Sequence, residues 1–416
     1  MINLMKRGLA AIALVLCTAP AAAVAPFDGM VDAGNAKLHV LQMGEGPYTV
    51  VFESGFGSDM SAWRKVAPAL AKQAAVLVYS RAGTGQSTPH ATGTGLEQSV
   101  ADFESMLAAV KASGPFILVG HSYGSFLIRS YAARHPDQVA GLVFVDPADE
   151  GIEAVLARID AKRVAADSNA LQSMTPPQFR DELLVLQQIM RKGALPAMAA
   201  LPDVPAVVLT SVRADPKAEF FIETPPAVRI KRERHQAFFA QFSAGAHVVT
   251  ANSGHAIQLQ EPELVIGAIE QVLDSAKRNA RRLAQAQAQQ TLMAELEKAA
   301  GLLGRGAAAD AQALVGRAIA ASGFMETQVN ALGFDVLVKG KQSAMAGLIL
   351  KHNAGAYPLS HNAADSFGEV LMAQGRALEA RAQFERALVL GRQGGASERA
   401  LAGYQSNLSK AETALR

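Results

Sequence analysis

The chain has 416 residues, half of them hydrophobic, which is enough to bury a large core and to form two domains. The 39 lysines and arginines nearly balance 37 aspartates and glutamates, so the net charge of +2 indicates no broad basic surface for nucleic acid. The composition therefore excludes a disordered or fibrous protein, and we expect no nucleic-acid partner.

The first 25 residues have the pattern of a secretory signal peptide. Lys6 and Arg7 precede an apolar run, and alanines end the segment. We predict cleavage after export, a periplasmic or secreted protein, and no stable membrane insertion afterwards. A retained anchor is the alternative, although an anchor needs roughly 20 consecutive apolar residues. The only cysteine, Cys17, lies in this segment, so lipid modification is a second alternative and the mature chain has no thiol chemistry.

Short apolar runs alternate with helix-like segments between residues 26 and 275. Such runs are typical of strands that helices cover on both faces, so we predict an α/β domain with a mostly parallel sheet. An alternating segment before them, 37–42, suits a peripheral antiparallel strand. The predicted buried strands are 49–52, 75–79, 116–119, 142–145, 207–209 and 247–250.

The segment 147–205 interrupts this alternation. It shows helical periodicity in 152–164 and 177–190 and no strand pattern. Because it is too long for a plain loop, we predict a helical cap over one end of the sheet. Its alanine, leucine and methionine side chains suggest an apolar pocket, with simple packing as the alternative.

After residue 275 the composition changes to alanine, glutamine, leucine and arginine, without a strand pattern. Residues recur 35 positions apart, as in Gly333 with Gly368 and Ile349 with Phe384. A period near 34 resembles tetratricopeptide helix pairs. We therefore predict a helical domain over 276–416 that offers a groove to a protein or peptide partner. A plain helical bundle is the alternative.

Ser122 lies between a strand pattern and a helix pattern, within Gly120-His121-Ser122-Tyr123-Gly124. A nucleophile at a sharp strand-to-helix junction has a strained backbone, and glycines two residues before and after it remove side chains that would clash. The helix N-terminus also favours a developing oxyanion. The alternative is a plain hydroxyl in a glycine-rich turn.

A serine nucleophile needs a base, and the base needs an acid that orients it. His255 follows the last apolar run, from where it can lean towards Ser122, so we predict that it is the base. For the acid we prefer Asp215, which follows the run 207–209. Asp146, at the end of 142–145, is the alternative.

The other polar patterns indicate no cofactor. His247, inside a predicted strand, is expected in the core, and His235, in a charged segment, is expected on a solvated helix face. Histidines and carboxylates do not cluster at metal-ligand spacing. The glycine-rich loop 80–87 lacks the third glycine of a dinucleotide motif and the lysine of a phosphate-binding loop, so we interpret it as a structural turn.

The order of nucleophile, acid and histidine, together with the elbow around Ser122, resembles the α/β-hydrolase superfamily over residues 27–275. The resemblance implies an eight-stranded, mostly parallel sheet with a variable cap. It also implies an oxyanion hole formed by the backbone N–H groups of Tyr123 and Phe56. The loop that supplies Phe56 contains Ser54-Gly55, where the family commonly has His-Gly.

These features predict an exported serine hydrolase that cleaves an ester, thioester, lactone or amide through an acyl-enzyme intermediate. The expected partner is a small-molecule acyl substrate, without a cofactor or metal. An aminopeptidase or a cofactor-free peroxidase is an alternative within the same fold. The alternative from another class is a tetratricopeptide-type scaffold with a vestigial hydrolase domain.

Overall fold

The computed structural model describes residues 26–91, 95–196 and 198–416. The predicted signal segment, residues 1–25, lies outside the described residues. The chain divides into two compact units between Asn279 and Ala280, close to the predicted boundary after residue 275. In the described ranges, no helix is both long enough and apolar enough to cross a membrane.

The first unit contains an eight-stranded sheet with the order β1-β2-β4-β3-β5-β6-β7-β8. The pairs β1–β2 and β2–β4 are antiparallel, and all other neighbours are parallel. This topology confirms the predicted mostly parallel α/β sheet. The strands are β1 (Phe27–Asp32), β2 (Lys37–Met43), β3 (Thr49–Glu53), β4 (Ala75–Tyr79), β5 (Phe116–His121), β6 (Val139–Val145), β7 (Ala206–Ser211) and β8 (Gly245–Thr250).

The central strands are buried on both faces. Every residue of β3 and β5 is buried, and Val50 belongs to one hydrophobic cluster while Val51 belongs to another. Because successive side chains point to opposite faces, the sheet has a core on each side. The sequence did not predict β1, since Asp28, Gly29 and Asp32 break up its apolar pattern; it is an edge strand.

Helices α1 to α6 lie between strands in the chain, and α7 and α8 follow the last strand. Between β6 and β7, the segment predicted as a cap contains α4 and α5 and no strand among its described residues. Helix α4 is kinked at Asp160, where φ is −150°. The helices are α1 (Ala67–Leu70), α2 (Leu96–Ala109), α3 (Gly124–Arg134), α4 (Ile152–Met174), α5 (Arg180–Lys192), α6 (Pro225–Phe239), α7 (Ile257–Gln260) and α8 (Pro262–Gly304). Short 3₁₀ helices occupy Met60–Trp63, Pro136–Gln138, Pro177–Phe179 and Phe221–Glu223.

The second unit is helical throughout, as predicted, and the repeated glycines lie at its helix contacts. A Cβ atom on Gly333 would lie 2.5 Å from the Leu350 side chain, and one on Gly368 would lie 2.5 Å from the Phe384 ring. The resemblance to tetratricopeptide repeats stays a prediction. Its helices after α8 are α9 (Ala308–Ser322), α10 (Glu326–Phe334), α11 (Ser343–Ala356), α12 (His361–Ala373), α13 (Ala377–Gln393) and α14 (Glu398–Ala414), with a π-helical segment at Asp335–Lys339.

Two histidines occupy the opposite environments to those predicted. His235 is 1% exposed: its Nε2–H donates to Pro147 O at 3.0 Å and its Nδ1 accepts from the Thr210 hydroxyl at 2.8 Å. It lies seven residues after buried Val228, and that spacing places both on one helix face. His247 is only partly buried because β8 is an edge strand. Through His235, helix α6 is therefore hydrogen-bonded both to the loop after β6 and to β7.

Burial lowers the pKa of His235 from 6.5 to about 4, although nearby Asp146 opposes the shift. The neutral imidazole is thus favoured in the folded state, and the unfolded chain binds more protons between pH 6.5 and 4. The unfolding free energy therefore carries no penalty from His235 above pH 6.5, and it falls as the pH decreases from 6.5 to 4.

We expect wild type to lose about 2 kcal/mol more unfolding free energy between pH 7 and pH 5 than His235→Gln. The measurement is urea unfolding followed by the emission of Trp63, which is fully buried in the first unit and is the only tryptophan. Equal pH dependence in the two proteins would contradict the assigned role of the buried imidazole.

For the second unit we expect Gly368→Ala to lower stability by about 1–3 kcal/mol, because the new methyl group meets a buried ring. Gly403→Ala is the matched control: no atom beyond its own stretch of helix lies within 4 Å of its Cβ position, and alanine favours the helix by up to about 1 kcal/mol. Thermal unfolding followed by circular dichroism tests the opposite signs of the two shifts.

Candidate active site

Ser122 occupies the two-residue connection between β5 and α3, with a φ of +50°. Side chains other than glycine rarely adopt this left-handed conformation, so the backbone is strained there. A Cβ atom on Gly120 would lie 2.8 Å from the Ile128 side chain, and one on Gly124 would lie 2.6 Å from the Glu53 carbonyl oxygen. The tight turn therefore requires glycine on both sides of the serine.

His255 and Asp146 are hydrogen-bonded to each other. The Nδ1–H of His255 donates to Asp146 Oδ2 at 2.7 Å, which leaves Nε2 as the acceptor nitrogen of the ring. His255 and Ser122 line the same cavity, although no hydrogen bond joins their side chains. Such contacts commonly tighten only in the complex with substrate.

The Asp146 carboxylate is buried and held from three directions. Besides His255, it accepts the backbone N–H of Ser211 at 3.0 Å and the Nζ of Lys231 at 2.9 Å. Burial raises the pKa of Asp146, but the lysine and the imidazole outweigh it and hold the pKa well below its ordinary value. The carboxylate is therefore ionised at neutral pH.

The structure corrects the preference for Asp215. Its side chain accepts the backbone N–H of Lys217 at 2.8 Å, and it makes no hydrogen bond or ion pair with His255. β6 and β7 are neighbours, so a loop after either strand can approach the histidine. Asp215 lies four residues beyond the end of β7, whereas Asp146 directly follows β6. Asp146, the alternative acid, occupies the position beside the imidazole.

Lys231 contacts the buried carboxylate of Asp146, and sequence reasoning did not single it out. It projects from α6 on the same side as Val228, three residues earlier, and its side chain is 13% exposed. The detectable signal was its helical spacing, because Val228, Lys231 and His235 share one face within an otherwise charged segment.

His121 supports the main chain of the histidine loop. Its Nε2–H donates to the carbonyl oxygen of His255 at 3.0 Å, and the two rings lie 4.7 Å apart. Burial, together with the neighbouring His255, lowers the pKa of His121 to about 3. His121 is therefore neutral and acts as a hydrogen-bond donor rather than as a charge.

Of the two predicted oxyanion donors, Tyr123 belongs to the elbow and Phe56 to the loop after β3. The backbone N–H groups of Phe56 and Tyr123 make no hydrogen bond to any residue that the structure describes. The Phe56 loop runs close to the nucleophile, since a Cβ atom on Gly55 would lie 3.4 Å from Ser122 Cβ. Among the described residues, both N–H groups therefore lack an acceptor, as donors of an oxyanion hole must before substrate binds.

Ser54 supports this loop in place of the family's histidine. Its hydroxyl accepts the indole N–H of Trp63 at 3.1 Å and donates to the carbonyl oxygen of Asp59 at 3.0 Å. The departure from the His-Gly pattern therefore leaves the loop with side-chain support.

The site opens into a cavity of about 1060 Å³, a size at the upper end for small-molecule pockets. Charged residues lie around it, and the cap contributes a mainly apolar wall. The apolar cap residues are Ile152, Leu156, Val164 and Leu171 of α4 and Leu186 and Met190 of α5.

Comparisons with known proteins agree with this architecture. A family model described as "alpha/beta hydrolase fold" matches residues 48–209. The chain is 30% identical over 206 residues to the pimeloyl-[acyl-carrier protein] methyl ester esterase of Chromobacterium violaceum, covering 44% of this chain and 78% of that protein. It is 25% identical over 243 residues to the uncharacterized protein YqjL of Bacillus subtilis, covering 58% of this chain and 90% of YqjL.

Solved structures include a serine hydrolase involved in carbazole degradation, with a TM-score of 0.44 and 18% identity, covering 60% of this chain and 99% of that one. The sheet order, the glycine-flanked elbow and the identity to the esterase lead to one assignment. This chain belongs to the α/β-hydrolase superfamily, and it is a hydrolase.

Proposed function

We propose that the protein is a serine hydrolase that cleaves carboxylic esters with an apolar acyl or alkyl part. The observation that carries the proposal is the buried, ionised Asp146 bonded to His255 in the cavity that Ser122 also lines. Asp146 holds the proton on Nδ1, so that Nε2 is free to accept one from the serine. Thioesters, lactones and amides require the same chemistry.

In the first half of the reaction, Ser122 Oγ attacks the carbonyl carbon and its proton passes to His255 Nε2. Asp146 stabilises the imidazolium that forms. The negative charge on the carbonyl oxygen is stabilised by the backbone N–H groups of Phe56 and Tyr123. The tetrahedral species then collapses, His255 protonates the leaving alcohol, and the acyl group remains on Ser122.

In the second half, His255 takes a proton from water, and the hydroxide attacks the acyl-enzyme carbonyl. The same two amides stabilise the second oxyanion, and the serine regains its proton from the imidazolium. The carboxylic acid is released and the site returns to its starting state.

The apolar side chains of the cap wall favour a substrate with an apolar part, because each methylene group buried there contributes about 0.8 kcal/mol to the binding free energy. The Chromobacterium violaceum relative is by name a methyl ester esterase, which supports an ester as the substrate class. The basic start and apolar run of residues 1–25 support action outside the cytoplasm. The paired helices α10 to α13 support a second role of the helical unit in binding a protein or peptide.

Replacement of the nucleophile and of the acid tests the proposed chemistry. Ser122→Ala is expected to lower kcat for p-nitrophenyl hexanoate by more than about 10³-fold and to abolish labelling by a fluorophosphonate. Asp146→Asn is expected to lower kcat by about 10⁴-fold, because an amide does not stabilise the imidazolium or enforce the correct tautomer.

Asp215→Asn is the matched control for Asp146→Asn, since both remove one carboxylate from the same cavity. We expect it to leave kcat unchanged. Equal losses of kcat in the two variants would contradict the assignment of Asp146 as the acid. Equal fluorophosphonate labelling of wild type and Ser122→Ala would contradict the assignment of Ser122 as the nucleophile.

The cavity wall predicts a preference for longer acyl chains. Across p-nitrophenyl esters from acetate to octanoate we expect kcat/KM to rise, by up to about fourfold for each buried methylene. Leu171→Trp narrows the cavity and is expected to reduce kcat/KM for octanoate but not for acetate. Leu184→Trp, at a position 48% exposed on α5 and outside the cavity lining, is the control. A flat chain-length series would contradict this substrate class.

A further inference from the structure

We propose that Arg81 is a positioning residue for the oxyanion hole, and that Glu182 makes this positioning depend on the cap helix α5. This inference rests on the proposed function, because it concerns the amide of Phe56 as an oxyanion donor. Arg81 belongs to the loop after β4, for which the sequence indicated only a structural turn.

Arg81 donates hydrogen bonds to the loop that precedes Phe56. Its Nη1 contacts the carbonyl oxygen of Ser54 at 2.6 Å, and its Nη2 contacts the carbonyl oxygen of Gly55 at 2.7 Å. The residue is only 6% exposed. A buried guanidinium therefore holds two successive peptide groups.

The carbonyl of Gly55 and the N–H of Phe56 belong to one peptide unit. This peptide is trans, so the oxygen and the hydrogen point in opposite directions. By fixing the Gly55 oxygen, Arg81 fixes the direction of the Phe56 N–H. A hydrogen bond to the carbonyl oxygen also polarises the peptide group and strengthens its N–H as a donor.

Two carboxylates fix the guanidinium in turn. Glu53, 1% exposed, accepts from Nη1 at 2.5 Å and also accepts the hydroxyl of Tyr79. Glu182 accepts from Nε at 2.8 Å and from Nη2 at 2.6 Å. Because donors on both ends of the planar fork are used, the side chain has one orientation, which the single ammonium group of a lysine cannot reproduce.

Arg81 also contacts the side chain of Tyr123, the residue whose backbone N–H is the second oxyanion donor. Its guanidinium carbon lies 5.2 Å from the centre of the Tyr123 ring, within the range of a cation–π contact. Tyr123 is 1% exposed and directly follows the nucleophile. One side chain is therefore in contact with both segments that supply the proposed hole.

The contribution of Glu182 comes from the cap. Its Oε2 accepts the backbone N–H of Gly57 at 2.7 Å, while its Oε1 binds Arg81. Phe56 thus lies between two fixed peptide groups, one held through the Gly55 oxygen and the other through the Gly57 N–H. A displacement of α5 would break the bond between Glu182 and the Gly57 N–H, and it would weaken the hold of Arg81 on the Gly55 oxygen. The position of the cap helix therefore determines the geometry of the oxyanion hole.

The test compares Arg81→Lys with wild type on p-nitrophenyl hexanoate. A misplacement of about 1 Å in a catalytic group costs about 10²-fold, so we expect kcat/KM to fall by about that factor. The inhibition constant of an alkylboronic acid, whose serine adduct places an oxygen in the hole, is expected to rise in parallel. The dissociation constant of the unreactive ether 1-hexyloxy-4-nitrobenzene is expected to stay unchanged.

Arg129→Lys is the matched control. Arg129 is also mostly buried, forms a two-pronged pair with Glu150 at 2.7 and 2.9 Å, and lies over the Phe238 ring, but it does not contact the Phe56 loop. Its replacement is expected to leave both kcat/KM and the boronate constant at wild-type values.

Glu182→Gln provides an independent variant that leaves Arg81 in place and carries the test alone if Arg81→Lys does not fold. We expect a fall of about tenfold in kcat/KM, with the same rise in the boronate constant and unchanged binding of the ether. Unchanged kcat/KM in both variants, or equal weakening of boronate and ether binding, would overturn the proposal for Arg81. Absence of turnover and of Ser122 labelling in wild type would instead overturn the proposed function itself.

Discussion

The parallel pairing of β3, β5, β6, β7 and β8 is the constraint on which the rest of the structure depends. Parallel neighbours end at the same edge of the sheet, so loops far apart in the chain converge there. Ser122 follows β5, Asp146 follows β6, and His255 lies five residues beyond β8. The hydrophobic cores on both faces hold these ends in register, and the strained backbone at Ser122 is retained because the surrounding packing leaves it no alternative.

At this edge, buried charges are compensated in small networks. Asp146 is paired with Lys231 and bonded to His255, and Arg81 is paired with Glu53 and Glu182. An isolated buried charge is costly, so each network is stable only while its members stay in place. The side chains are consequently held in one orientation, which is the condition for electrostatic stabilisation of a transition state.

The cap therefore does more than cover the cavity. Apolar side chains of α4 and α5 line it, and Glu182 of α5 also bonds to the loop that carries Phe56. In the proposed function, Glu182 therefore connects the cap side of the substrate cavity to the loop of the oxyanion hole.

Local patterns in the sequence determined much of this protein: seven of the eight strands, the helical cap segment, the all-helical C-terminal unit and the glycine-flanked elbow at Ser122 all follow from residue spacing. Such features depend on neighbours within a few residues, which periodicity and turn chemistry report. Only the tertiary structure placed Asp146 rather than Asp215 beside His255, buried His235 and most of the Lys231 side chain, and brought Glu53, Arg81 and Glu182 together. The bonded partners are up to 109 residues apart, as with Asp146 and His255, and β6 and β7 end side by side. Which charge compensates which therefore depends on the packing of the sheet edge and the cap, which no local pattern encodes.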